Sequence, residues 1–369
     1  MLLLLAACTV AAAGSEYYCG REGPRDYTSF KIPGFELSAV QVLFRHGART
    51  SLQDLACFNG NAGYSCLDES TFSLTGDFQS LLLKQYPQGC ERGQLLSSAA
   101  VQLRRVAEWV KITYPRNFQV ASEVSFRSTD LQRTLASMLY LKHFLFPDLK
   151  NVKVSVDEYG DDALASNFQT PRSLQLQEEF ANSTGHLEVV ASEEYVQCRE
   201  LWEREIGSKY IPVAMDCLLS AHCANVNLPR GLTYSDRLLD CVFEVELKDR
   251  KAFFGQSDTD FKSKGLEMSF LRIAPLIKEI NARLDAGQSG FMASHDTTLV
   301  LLLQGLGDLW DGVWPKYAET LVIERHVSVT DEKHYVNRII RDGAHVADQV
   351  VGSIISADSP LDDNQWLVA

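Results

Sequence analysis

Residues 37–44 read "LSAVQVLF", and apolar side chains stand at successive positions through Val42, Leu43 and Phe44. A strand with one face in water alternates apolar and polar residues. A near-continuous apolar run of this length is what a strand covered on both faces shows, so the chain must supply layers on either side of it. No other feature restricts the fold as strongly, and the run ends abruptly in the polar cluster "RHGART", residues 45–50.

Helical periods supply the layers. In "LSSAAVQLRRVAEWVKIT", residues 96–113, Ala99, Leu103, Val106 and Val110 recur at helical spacing, with Ser97 or Ser98 expected as N-cap. "EVSFRSTD" (123–130) predicts a second strand, and "LQRTLASMLYLKHFLF" (131–146) a helix stopped by Pro147. Val152, Val154 and Val156 alternate as a further strand would. "EMSFLRIAPLIKEINARLDA" (267–286) predicts a helix containing Pro275. "SGFMASHD" runs as a strand into a helix beginning "TTLVLLLQGLG", with Thr297 as cap and Gly305 or Gly307 as stop.

Strands alternating with helices predict an α/β domain, its sheet mostly parallel and flanked by helices. Between about 150 and 250 the pattern turns helical and four cysteines cluster from Cys198 to Cys241, which predicts a smaller, mainly helical, disulfide-containing insertion. The expected division is a signal peptide at 1–14, the α/β domain at 15–150 and 251–369, and the insertion at 151–250.

"MLLLLAACTVAAAG" has the apolar run and small residues of a secretory signal, although it lacks a Lys or Arg at its start. "LAAC" around Cys8 also matches a lipoprotein acylation pattern, but the apolar run before it is short. No later window is long and apolar enough to span a bilayer, so no membrane span is expected in the mature chain. Without Cys8, eight cysteines remain, an even number that predicts disulfides and an oxidising compartment, secreted or lumenal. The alternative, a metal cluster at Cys217, His222 and Cys223, lacks the paired C-x2-C spacing of zinc sites. Asn182-Ser183-Thr184 is a glycosylation sequon. A net charge of -13 argues against nucleic acid as partner, so any anion site must be locally basic.

Three strands run into polar clusters, "FRHGART", "FRSTD" and "ASHDTT". In open α/β sheets ligands bind beyond the carboxyl ends of strands, and these ends can meet at one edge. Together they carry Arg45, Arg49 and Arg127 as forked donors, His46 and His295 as imidazoles, and Asp296 as a carboxyl group. That inventory suits a phosphate: guanidinium forks match its oxygens and stabilise a transferring phosphoryl group. Singly, each cluster is as consistent with a structural ion pair or a hydrogen-bonded histidine.

"RHGAR", followed by "FRSTDLQRT" and far downstream by "SHD", resembles the histidine acid phosphatases of the phosphoglycerate-mutase-like superfamily, over about residues 37–325. Within that family, "PVAMDCLLSAHCANVNLP" is similar to the 2-phosphoxylose phosphatase branch. The resemblance implies His46 as nucleophile, Asp296 as proton donor, and Arg45, Arg49, Arg127 and His295 as phosphate ligands. It implies a small-molecule or sugar phosphate monoester as substrate and no metal or other cofactor, and it leaves a homodimer open. The family motif R-H-G-x-R-x-P has proline where this chain has Ser51, so altered loop stiffness with retained chemistry is expected.

Two other readings remain open. A phytase or inositol-polyphosphate phosphatase could use the same site, although the stretch from Asp157 to Glu205 is acidic and shows no basic cluster for further phosphates. A secreted small-ligand-binding protein could use the same fold without catalysis.

Overall fold

The computed structural model describes residues 17–27, 31–52, 64–67, 90, 92–148, 153–158, 160–206, 211–226, 239, 241, 245–256 and 259–350. The expected signal peptide, Cys8, Cys57 and Val152 lie outside them.

Strand β1 (Phe35–Arg45) occupies the middle of a six-stranded sheet. It is followed by α1 (Ser97–Thr113), β2 (Ser125–Ser128) and α2 (Gln132–Leu145). A helical stretch comes next, with α3 (Pro171–Phe180), α4 (Thr184–Ala191), α5 (Glu193–Ile206), α6 (Ile211–Ala224) and α7 (Glu246–Phe253). The long α8 (Lys262–Asp285) contains Pro275 and leads to β3 (Gly290–Ser294) and α9 (Asp296–Gly305). Three strands close the described chain, β4 (Thr320–Ser328), β5 (Tyr335–Arg341) and β6 (Ala344–Val350).

The sheet order is β2-β3-β1-β4-β5-β6. Both faces of β1 are covered, as its apolar run requires. Val40, Val42 and Phe44 pack with Phe126 and Phe291 against Leu103, Val106 and Val110 of α1 and Met138 and Leu141 of α2. Leu43 and Met292 pack on the other face against Ile273 and Leu276 of α8 and Leu299 and Leu302 of α9. Each such buried side chain contributes about 1.5–3 kcal/mol.

The sheet is mixed, where a mostly parallel one was expected. β1, β2 and β3 are parallel, but β4, β5 and β6 add antiparallel ladders beside β1. These strands escaped sequence reading because charge interrupts their pattern: β4 buries Glu324, Arg325 and His326. Each is paired, Arg325 Nε donating to Asn337 Oδ1 at 3.0 Å and His326 Nε2 lying 2.7 Å from Glu324. Such pairing makes buried charge tolerable inside a sheet.

Other expectations also change. Leu96, not Ser97 or Ser98, is the N-cap of α1. The Ser97 hydroxyl donates instead to the carbonyl of Ser65 at 3.0 Å. His295, not Thr297, caps α9. The alternation Val154 and Val156 yields only an isolated bridge of Ser155 to Arg127, with Val156 exposed.

Disulfides join Cys19 to Cys223, Cys66 to Cys90 and Cys198 to Cys241, and Cys217 is also disulfide-bonded. Cys217 and Cys223 are therefore not metal ligands. The Cys19–Cys223 bond ties α6 to the chain's first described turn, so the helical stretch is stapled to the α/β domain as well as within itself. Asn182 is exposed between α3 and α4. Among the described residues no helix is long and apolar enough to cross a membrane.

Candidate active site

Register brings the three polar clusters together. Arg45 at the end of β1 pairs with Ser294 of β3, and Ser128 of β2 pairs with Ala293, so all three strands stop at one edge. Beyond it, His46 N donates to Ser294 O at 3.0 Å, and the His46 carbonyl accepts from Ala318 N at 3.1 Å. Gly47 follows because α1 crowds the loop: a Cβ there would stand 2.6 Å from Ala99 Cβ. Its N–H donates to Ser137 Oγ of α2 at 3.0 Å, and Ala48 N donates to Gln102 Oε1 of α1 at 2.8 Å. Gln102 was not singled out from sequence, yet it fixes this loop and also donates to Cys19 O at 2.7 Å.

His46 is buried, with Nδ1 2.9 Å from its neighbour's carbonyl at Gly47. A carbonyl only accepts, so Nδ1 carries the proton and Nε2 keeps its lone pair. Burial, then the positive field of Arg133, Arg49 and Arg45, hold its pKa well below the ordinary histidine value. Burial and that field favour the neutral imidazole.

Arg45 is fully buried. It donates to Pro315 O and to Tyr18 Oη, each at 2.7 Å, pairs with Asp296 at 2.8 Å, and stacks against the rings of Tyr18 and Tyr317. Arg49 donates through Nη1 to Thr50 O at 2.9 Å and to Asp216 Oδ1 at 2.8 Å. The Nε atoms of Arg45 and Arg49 are buried and make no hydrogen bond. Two unsatisfied guanidinium donors beside a neutral imidazole are a demand for an anion.

Arg127 does not join them, a correction to the sequence reading. Its strand parity turns it to the face of α8, where its side chain meets three carboxylates: Asp157 at 2.7 Å, Asp162 at 2.8 Å and Glu279 at 2.9 Å. The arginine that reaches the site is Arg133, in the first turn of α2, whose Nη2 lies 3.4 Å from His295 Nδ1. Both arginines stand in "FRSTDLQRT". A first-turn helix position directly beyond a strand end was the signal that could have selected Arg133.

His295 Nε2 lies 3.1 Å from Thr129 Oγ1, which is 2.6 Å from Thr134 Oγ1. Because an arginine only donates, Nδ1 of His295 accepts and its Nε2–H points to Thr129. Burial and Arg133 lower its pKa, against the opposing pull of Asp296. The His46 and His295 ring centroids are 5.6 Å apart. Asp296 accepts from Arg45 at 2.8 Å, from Trp314 Nε1 at 3.2 Å and from Thr297 N at 2.8 Å. Burial alone would raise its pKa, but the guanidiniums of Arg45 and Arg250 outweigh that and hold the carboxyl ionised. Arg250, from α7, lies over the Trp314 ring at 4.4 Å. Neither Trp314 nor Arg250 carried any motif in the sequence.

No family model matches the chain. A 2-phosphoxylose phosphatase 1 of Xenopus tropicalis is 23% identical, the match covering 90% of this chain and 73% of the relative. A lysophosphatidic acid phosphatase type 6 of Bos taurus is 24% identical, over 83% of this chain and 77% of the relative. Among solved structures, the phytase from Citrobacter braakii superposes with a TM-score of 0.53 at 16% identity, covering 82% of this chain and 84% of that one. The chain therefore shares its overall fold with that phytase.

Proposed function

We propose that the protein hydrolyses phosphate monoesters through a phosphohistidine on His46. The observation that carries this reading is the neutral imidazole, its Nε2 lone pair free of the proton, set among Arg45, Arg49 and Arg133. Nε2 attacks phosphorus while the ester P–O bond breaks, and the carboxyl of Asp296 gives its proton to the departing oxygen. Water then attacks the phosphorus, its proton passes to Asp296, and the P–N bond breaks to release phosphate. The negative charge of an arriving phosphate offsets the guanidinium field that keeps Asp296 ionised. Protonation of Asp296 thus accompanies substrate binding and is favoured in acid.

The substrate we favour carries one phosphate. Both curated relatives are named for monophosphorylated substrates, whereas the structural neighbours include phytases and a multiple inositol polyphosphate phosphatase. Asp216 faces Arg49, so a further phosphate on that side would meet negative charge. Disulfides support a secreted or lumenal location.

Turnover of an aryl phosphate at pH 4–8 tests the chemistry: His46→Ala should abolish it, and retained turnover would refute the phosphohistidine. Phosphate release from sugar, lipid, nucleotide, protein and inositol phosphates tests substrate class, and a preference for inositol polyphosphate would overturn the single-phosphate reading.

A further inference from the structure

Arg49 reaches the site on a loop that is held to α6 through one carboxylate. Asp216, on α6, accepts from Arg49 Nη1 at 2.8 Å through Oδ1. Its Oδ2 accepts from the Ser51 hydroxyl at 2.8 Å and from Leu52 N at 2.6 Å. One side chain from the helical stretch thus clasps residues 49–52 at three points. Ser51, standing where the family motif has proline, is one of the three donors.

The geometry points to Asp216 as the positioning residue for Arg49, and to the Ser51–Asp216 hydrogen bond as this chain's means of fixing the loop. The inference rests on the phosphate-ester reading above. Three further observations support it. Arg49 is buried, so an unpaired guanidinium there would be strongly disfavoured, and Asp216 supplies the counter-charge that keeps it in place. Asp216 engages Nη1 and leaves the buried Nε without a partner, so the fork keeps a donor for a phosphate oxygen. α6 itself is anchored: its Cys223 is bonded to Cys19, next to Tyr18, whose hydroxyl accepts from Arg45. The supports of two clamp arginines are thereby linked by a single covalent bond. The loop itself is completed by the isolated pairing of Arg49 with Leu95 and by Thr50 N donating to Gln94 O at 2.9 Å.

A residue that only places a phosphate ligand should act on ground-state binding more than on the chemical step. Asp216→Ala should raise KM for an aryl phosphate, and Kd for inorganic phosphate measured by calorimetry, by about 10-fold, with kcat changed by less than about threefold. Asp216→Asn, which keeps the shape, serves if the alanine variant does not fold, and should weaken phosphate in the same direction. Ser51→Ala should raise KM by about two- to fourfold in the wild-type background. It should add nothing in the Asp216→Ala background, because the two side chains act through one contact. Unchanged KM and phosphate Kd in the Asp216 variants would overturn the assignment, as would full additivity with Ser51→Ala. The calorimetric arm separates this failure from failure of the catalytic reading: if His46→Ala still turned over substrate, phosphate binding by wild type and Asp216→Ala would still decide the role of Asp216.

Discussion

Arg133 Nη2 lies 3.4 Å from Nδ1 of His295, and through that contact α2 delivers a guanidinium to the edge of the sheet where β1 and β3 end. Arg127, six positions earlier in the same motif, is instead surrounded by carboxylates. The two arginines should therefore fail in different ways. Arg133→Ala should lower kcat/KM by about 10²–10³-fold, the scale of a lost transition-state donor, with little change in stability. Arg127→Ala should leave KM near wild type and lower the unfolding free energy by about 3–5 kcal/mol, because buried Asp162 loses its partner. Steady-state kinetics and denaturant unfolding of the two variants check this.

Asp296 should be needed in proportion to the basicity of the leaving group. Asp296→Asn should lower kcat for an alkyl phosphate by about 10²–10⁴-fold, and much less for a nitrophenyl phosphate, whose oxygen leaves without a proton. Equal losses on the two substrates would remove Asp296 from the donor role. Trp314→Phe deletes one donor to Asp296 Oδ2, which raises the carboxyl pKa, and the basic limb of its kcat profile, where the donor loses its proton, should move to higher pH.

Gly47 should tolerate no side chain. Gly47→Ala places a Cβ 2.6 Å from Ala99 Cβ, so α1 and the loop must separate. The overlap costs about 1–3 kcal/mol and displaces His46, which should appear as a fall in both melting temperature and kcat. Combining it with Ala99→Gly should restore part of each, since the relief is local.

Stability should fall in acid for a reason located at the site. His46 and His295 have lowered pKa values in the folded protein, through burial first and then the arginines. Below about pH 6.5 the unfolded chain therefore binds protons that the folded one refuses, and unfolding becomes easier as pH falls. Asp342, pushed up to about 6 by burial, works in the opposite sense, because the folded chain takes its proton first. Urea unfolding at pH 7.5 and 5.0 should show a smaller acid loss in the His46→Gln/His295→Gln double variant than in wild type, while the Asp342 contribution is common to both. An identical loss in the two proteins would place the acid sensitivity elsewhere.

Local chemistry was legible in the chain itself. A doubly buried strand declares itself by an unbroken apolar run, so β1 and the layers that cover it could be read from residues 37–44. The polar ends at His46 and at His295-Asp296 could be read because a strand's exit is visible as an abrupt change of composition. Side-chain direction could not. Whether Arg127 or Arg133 faces the site depends on pleat parity and on where α2 begins, and β2 ends only by pairing with β3. The charged strand β4 was hidden for a related reason: Glu324, Arg325 and His326 look solvent-facing until their partners arrive from elsewhere in the fold. Trp314 and Arg250 carry no motif, and they matter only because folding brings α7 and the segment between α9 and β4 against Asp296. Composition and periodicity thus determined the layers and the identity of the reactive groups. Tertiary structure decided which donors converge on them, since hydrogen bonds and ion pairs act over a few ångströms and contacts at that range between distant segments exist only once the chain is packed.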